Sequence, residues 1–399
     1  MSFERPYEGI KVVDMSQGVA GPYCAMLLAQ HGADVIKVEP HAGDWSRMLG
    51  PQHHNHTEFS FGPNMGKRSL AIDLKSAEAP AIIDALVGEA DVFLEGFRPG
   101  VVDRLGFGHE RLMALNPGLI YVSVSGFGQT GPLRGKPAMD PVLQAFSGFM
   151  LDNTGQDGTP HRVNAVINDM ATALYAFQAV APALFIKGEG VPGRYLDISL
   201  MRGAANLSAI RYMSASKGEG TQVPRTAPSG IFRCSEGWLQ LVILQDKDFD
   251  ALCGILCLDD LAADASLRGN EARLSQAPML IERVGEVLST KPAAHWREIF
   301  TEAGLQNEML QDYQQFLEHP QTIETELFSA MELPGLDQPL PIPNPPGIPK
   351  MVNGTPTGTS PVTGQHSDEI LAQIGYSADA IADLRHRGVI TTWTELVAS

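Results

Sequence analysis

Cysteine is scarce in this chain. Four residues among 399 (Cys24, Cys234, Cys253 and Cys257) are too few and too scattered for a disulfide framework, and they suit a reducing cytoplasm. Cys253 and Cys257 have no second Cys or His pair nearby, so no zinc site is expected. Positive charge is also in deficit: 29 Lys and Arg stand against 46 Asp and Glu, a net charge of −17. A pI near 5.0 argues against nucleic acid or an anionic membrane as partner. Any phosphorylated ligand needs local basic residues to overcome that field. No apolar run of membrane-spanning length is read, and Met1 to Glu8 shows no basic flank leading into an apolar stretch, so a cytoplasmic location is expected. The dinucleotide fingerprint G-x-G-x-x-G is missing as well. Gly18 and Gly21 alone follow the first strand, which argues against NAD although Glu39 falls where a ribose would be held.

What is present is a large apolar fraction, 44%, in a chain long enough for two domains. Ile10 to Asp14 and Val35 to Glu39 read as strands around an apolar-periodic segment ending at Gln30, a unit expected of a parallel sheet. Lys67 to Leu74, Ala90 to Leu94, Leu119 to Val124 and Gly193 to Leu200 continue the pattern. The expected fold class is α/β: a large Rossmann-like domain with an open parallel sheet, plus a smaller α+β domain. Residues 1–222 open the large domain, 223–328 form the small one, and 329–399 cross back. The polar break Gly218 to Pro228 reads as a linker, and Ser229 to Leu244 as a hairpin. Leu333 to Pro349 is too rich in proline and glycine for regular structure, whereas Asp368 to Gly375 and Ala378 to His386 are helical.

Ligands in open α/β sheets bind beyond the carboxyl ends of strands. The Gly96 to Gly100 turn is expected there, with Arg98 and Arg104 beside it as a phosphate seat. The glycine-dense loop Ser125 to Pro132 signals a second close approach of backbone. His53, His54 and His56 read as a solvated loop rather than a metal cluster.

The segment His161 to Phe185 organises the rest. Met170, Leu174, Phe177, Val180, Ala181 and Leu184 recur at helical spacing, and Asn168 and Asp169 are typical residues to cap such a run. The helix dipole there favours an ionised Asp169. A cap explains an aspartate by itself, and Asp140, followed by Pro141, reads as the cap of its own helix.

Taken together, Ala20 to Pro22, Ile36 to Glu39, Lys67 to Leu70, Asp103 to Phe107, Ser125 to Pro132, Gln144 to Gly148, Gly193 to Leu200 and Gly364 to Leu371 resemble the class III CoA-transferases of the CaiB/BaiF type. Their order over almost the whole chain carries the resemblance, and Asp169 falls at that family's catalytic aspartate. The resemblance implies an acyl-CoA:carboxylate CoA-transferase with no tightly bound cofactor and no metal, acyl-CoA and a small carboxylic acid as substrates, and an interlocked homodimer. It implies that Asp169 passes through aspartyl anhydride and aspartyl-CoA thioester intermediates, with Asp140 either orienting it or capping its own helix. CoA contacts are implied at Gly18, Val19, Ala20, Ile72, Lys75, Gly96, Phe97, Arg98 and Arg104. Pro40 and Gly96 depart from the formyl-CoA branch, where arginine and asparagine are found. Arg162 and Arg233 are candidates to pair with a second carboxylate, which favours a dicarboxylate acceptor. Two other readings stand beside this one. A racemase or isomerase of the same superfamily would need a histidine base where Met139 stands, and a CoA-binding relative without activity would use Asp169 only as a cap.

Overall fold

The computed structural model describes residues 5–155, 157–187, 191–218 and 225–393. Strands β1 (Lys11–Met15), β2 (Asp34–Glu39), β3 (Arg68–Ile72), β4 (Val92–Glu95), β5 (Ile120–Ser125) and β6 (Tyr195–Ser199) arise where apolar, β-branched runs were read. Further along lie β7 (Gly230–Arg233), β8 (Trp238–Val242), β9 (Gln306–Met309), β10 (Phe328–Met331), β11 (Leu340–Pro343) and β12 (Ile390–Thr391).

One sheet has the order β12-β3-β2-β1-β4-β5-β6. Its first six strands in sequence are parallel, and β12 closes one edge antiparallel to β3. The 3-2-1-4-5-6 order is that of a doubly wound sheet, in which the chain reverses direction between β1 and β4 and leaves a crevice at their carboxyl ends. Alternate side chains fill a separate core on each face. Val13, Met15, Phe93 and Tyr121 pack with Ile82, Ile83 and Leu371, whereas Val12, Leu94, Ile120 and Val122 pack under Leu28, Ala173, Ala176 and Val180. Burial on both faces is why these strands read as continuous apolar runs.

The long helix Ile167–Lys187 lies on the second face. By length and mean hydropathy it could cross a membrane, which corrects the expectation that no such run exists. Ala171, Ala173, Ala176 and Val180 are nevertheless buried in the core of the sheet domain, as befits a core helix.

The chain divides into two compact units, Met1–Met213 with Glu326–Ser399, and Ser214–Thr325. The expected boundary at 222/223, and most of the linker containing it, lie outside the described residues. In the second unit β7, β8 and β9 form an antiparallel sheet. Phe232, Leu239, Leu241, Phe249, Leu280, Trp296 and Phe300 give it a core of its own.

Two expectations need correction. The proline-rich return is partly regular, because β10 and β11 pair antiparallel from Phe328↔Pro343 to Met331↔Leu340. A proline is tolerated at the edge of such a two-stranded ribbon because its missing N–H can face away from the partner. The histidine loop is not uniformly solvated: His56 is buried beside Arg47, and burial pushes its imidazole down to about 3. Glu39, at the position where a dinucleotide fold would hold a ribose, is instead clamped by Arg47 with bonds of 2.8 and 2.9 Å.

Candidate active site

The carboxyl ends of β1, β4 and β5 supply three backbone turns to one cleft of about 310 Å³. Gln17, Val19, Ala20 and Gly21 come from the turn after β1, Gly96 and Arg98 from that after β4, and Val124, Ser125 and Gly126 from the end of β5. Trp45, Ala138, Met139, Asp169 and Leu200 complete the lining. The cleft therefore stands at the topological switch point of the sheet.

Glycine is required at two places. Gly18 has φ of +84°, and a Cβ there would overlap the Trp45 ring, while a Cβ on Gly21 would overlap Ser16. With Gly21 bare, the helix Ala20–Gln30 brings its first turn up to the cleft. No side chain caps it, and its first N–H groups are without intrahelical partners.

Asp169 is the third residue of Ile167–Lys187, within its first turn rather than at the cap. The capping group comes from elsewhere. Asp140 Oδ2 accepts the N–H groups of Asn168 (2.6 Å) and Asp169 (3.1 Å), and its Oδ1 accepts Gln144 Nε2 at 2.7 Å. Asp140 is itself buried and makes no capping bond to its own helix, Asp140–Phe146. The expectation that Asp169 is a cap is thereby corrected, and of the two alternatives for Asp140 the bonds fall on the side of Asp169: Asp140 caps the helix of Asp169 and not its own.

This arrangement also reverses the expected electrostatics. Packing around Asp169, followed by the charge of Asp140, raises its carboxyl to about 7. Among the described residues, no hydrogen bond reaches the Asp169 carboxylate, and the side chain keeps part of its surface open to the cleft. A carboxylate that is poorly solvated, unbonded and open on one side is a more reactive nucleophile than a hydrated one.

The other expected contacts separate. Val19, Ala20, Gly96 and Arg98 line the cleft with Asp169. Gly18 lies just behind them, its N–H held by Asp44. Ile72 is fully buried in the core, Phe97 packs against that core with its N–H on Glu95 Oε2 at 2.8 Å, and neither side chain joins the lining. Lys75 and Arg104 are exposed away from it, the latter beside Gly100. Arg162 bonds Asn164 at 3.1 Å outside the lining, and Arg233 lies in the second unit over the Trp238 ring. Arg98 is thus the one basic side chain of the cleft lining among the described residues. No group of three or more His, Cys, Asp or Glu side chains placed to hold a metal occurs among them either.

Trp45, Met139, Leu200 and the buried charges behind the first turn were not singled out as site residues. The signal available for the last was the presence of Asp14, Lys37 and Glu39 inside strands that are otherwise apolar.

Comparison with known proteins agrees with the geometry. The sequence profile of CoA-transferase family III matches residues 7–367. The acetyl-CoA:oxalate CoA-transferase of Acetobacter aceti is 35% identical over 79% of this chain and 84% of its own length. The succinyl-CoA–D-citramalate CoA-transferase of Chloroflexus aurantiacus is 31% identical over 97% and 98%, and the human succinyl-CoA:glutarate CoA-transferase 28% over 97% and 90%. Among solved structures, a CaiB/BaiF family protein from Brucella suis superposes with a TM-score of 0.80 at 27% identity, covering 93% of this chain and all of its own. A profile matched from Tyr7 to Ser367, on a doubly wound fold with an aspartate at its switch point, makes this chain an enzyme of the family III CoA-transferases.

Proposed function

We propose that the enzyme moves CoA from an acyl-CoA to a free carboxylic acid through Asp169. The observation that carries this reading is the unbonded Asp169 carboxylate opening into the switch-point cleft. Asp169 attacks the thioester carbonyl, giving a mixed aspartyl anhydride and CoA thiolate. The thiolate attacks the aspartyl carbonyl, releasing the donor acid and leaving an aspartyl-CoA thioester. The acceptor carboxylate attacks that thioester to form a second anhydride and thiolate. Attack of the thiolate on the acceptor's carbonyl yields the new acyl-CoA and restores Asp169. Each step exchanges one acyl bond for another, so the scheme needs no resident cofactor. The uncapped first turn of Ala20–Gln30 offers N–H groups to the oxyanions that form.

The acceptor in this reading is a dicarboxylate. Arg98, the basic group on the lining, supports it, as do the relatives named for oxalate, glutarate and D-citramalate. The racemase reading is disfavoured because Met139, a side chain without a titratable group, lines the cleft where a base would be needed. A homodimer is part of the proposal: Arg211 and Tyr212 tie segment 207–213 to segment 147–152, and Phe146, Leu151, Leu207, Ile210 and Met213 are exposed around that junction. The four free cysteines support a place in a reducing cytoplasm.

The test is to incubate the protein with acyl-CoA, trap with hydroxylamine or borohydride, and map the modified peptide by mass spectrometry. Modification should fall on Asp169. Labelling elsewhere, or an Asp169→Asn variant that still exchanges CoA, defeats the reading, and a panel of mono- and dicarboxylic acids with succinyl-CoA as donor tests the acceptor class.

A further inference from the structure

Behind the Ser16–Pro22 turn lies a cluster of six charged side chains that the reaction scheme leaves unused. Asp14, Glu39 and Asp44 supply the carboxylates, and Lys37, Arg47 and Lys67 the cations. Five are fully buried and Lys67 is 4% exposed. Lys37 meets Asp44 at 2.8 Å, Lys67 meets Asp14 at 2.7 Å, and Arg47 meets Glu39 at 2.8 Å, so the charges balance in pairs. Burial opposes every one of these charges. The paired cations nevertheless hold the Asp14 and Glu39 carboxyls below their usual range, and the carboxylates lift Lys37 above its own.

Well-packed apolar residues would stabilise such a volume at least as well, because ion pairs in the interior forfeit hydration. The backbone contacts of the cluster show what the charges add. The Lys37 ammonium donates to the Ser16 carbonyl, and Asp14 Oδ1 accepts the Ser16 N–H at 3.0 Å. Asp44 Oδ1 accepts the Gly18 N–H at 2.9 Å, and Lys67 donates to the Pro22 carbonyl at 2.8 Å. The turn is thus pinned at its start, middle and end, and Val19, Ala20 and Gly21 of the cleft wall lie between the last two pins. Asp44 has a second hold: its Oδ1 also accepts the Ser46 N–H at 2.9 Å, which fixes the turn carrying Trp45. The Trp45 ring lies so close to Gly18 that any side chain there would overlap it.

We infer that Asp44 is a positioning residue for the transfer reaction, fixing the Val19–Gly21 wall and the Trp45 ring relative to Asp169 without touching substrate. The inference rests on the reading of this cleft as the acyl-CoA site. Orientation governs the chemical step more than it governs CoA affinity, since a displacement of about 1 Å can cost about 100-fold in rate.

The test uses the full-length enzyme and three variants. Asp44→Asn keeps the size of the side chain and an oxygen for Gly18, but leaves the Lys37 ammonium without its nearest counter-charge. Gly18→Ala displaces Trp45 while leaving all six charges in place. Both should lower kcat by roughly 10- to 100-fold, with the dissociation constant for CoA changed by less than about threefold, the split expected when orientation rather than binding is lost. Both should also reduce the quenching of tryptophan fluorescence by acyl-CoA, with Trp45→Phe identifying that signal. If Asp44→Asn does not fold, Gly18→Ala decides. A folded variant with unchanged kcat, or with its whole loss in CoA affinity, overturns the positioning role. Asp169→Asn run alongside separates the two ideas: its continued activity defeats the nucleophile, whereas its inactivity beside a fully active Asp44→Asn defeats only the role of Asp44.

Discussion

Asp140 Oδ2 lies 3.1 Å from the backbone nitrogen of Asp169 and accepts its N–H, so one aspartate caps the helix on which the other is displayed. The same carboxylate occupies the dipole's positive end and adds its own negative charge, and this is the second cause, after burial, of the raised Asp169 carboxyl. Attack on a thioester needs the carboxylate form. The rate of donor-acid release in the first half-reaction should therefore rise about tenfold per pH unit below about 7 and level off above it, as read by rapid quench with acyl-labelled acyl-CoA. An acid limb centred near pH 4 would contradict this.

Stability should run the other way. Asp169 binds its proton more tightly folded than unfolded, so between about pH 4 and 7 the folded state is progressively penalised as pH rises. Asp169→Asn removes that penalty. The variant should melt higher than the parent at pH 8, by up to about 4 kcal/mol, and the gap should close near pH 4. Equal melting temperatures at pH 8 would argue that the carboxylate is better solvated than the packing indicates.

Asp140→Asn preserves an acceptor for the two N–H groups but deletes the charge. Its acid limb should move to lower pH than the parent's, with the helix retained. Asp140→Ala deletes the cap too and should cost about 1–2 kcal/mol, measured by urea unfolding. If the limb stays in place in Asp140→Asn, the charge of Asp140 does not govern the nucleophile.

These relationships were unequally visible beforehand. The parallel sheet could be read because its strands are buried on both faces and need unbroken β-branched runs. Asp169 could be found because helical periodicity begins beside it and motif order fixes its place. For Asp140 the sequence left two roles open, orienting Asp169 or capping its own helix, since the helix it caps begins 27 residues later and only the packing of Asp140–Phe146 against Ile167–Lys187 joins them. The ion cluster was hidden for a similar reason. Asp14 stands on β1 and Lys37 and Glu39 on β2, and such isolated charges in a strand look like a solvated edge until β1 and β2 are placed side by side. The Ile72 side chain stands outside the cleft lining because it pairs opposite Ile390 and packs into the core.

Gly203 offers a test of how tightly the nucleophile's helix is set. A Cβ there would overlap the Thr172 hydroxyl, and that hydroxyl donates to the Asn168 carbonyl at 2.6 Å, one residue from Asp169. Gly203→Ala should cost about 1–3 kcal/mol in urea unfolding and reduce kcat, since helix Leu200–Leu207 is pushed against the turn holding Asp169. A variant as stable and active as the parent would mean that Thr172 can rotate away without consequence.

Arg47 ties three segments together: its guanidinium clamps Glu39 and donates to the carbonyls of Asn55 (3.1 Å) and Pro361 (3.0 Å). Arg47→Met would leave Glu39 buried without its counter-ion. A loss of about 3–5 kcal/mol is expected from the shift in urea midpoint, with Arg47→Lys also destabilised because an ammonium cannot reproduce the fork. A cost below about 1 kcal/mol for Arg47→Met would show that Glu39 takes up a proton or another partner freely.

The exposed junction of segments 147–152 and 207–213 tests the homodimer. Ile210 is 70% exposed and Leu151 is 60% exposed, beside the Arg211–Asp152 pair that holds the two segments together. Apolar side chains at such exposure forfeit about 1.5–3 kcal/mol each relative to burial, and several in one place favour covering by another surface. A second copy would bring the same apolar side chains to the junction, and the shared net charge of −17 makes an uncharged contact the favourable place to meet. Ile210→Asp would put like charges across such an interface and desolvate them. Sedimentation velocity at micromolar concentration should show a dimer for the parent and a shift toward monomer for Ile210→Asp, with the monomer's circular dichroism unchanged. A monomeric parent, or a variant that still sediments as a dimer, removes this surface as the contact between copies.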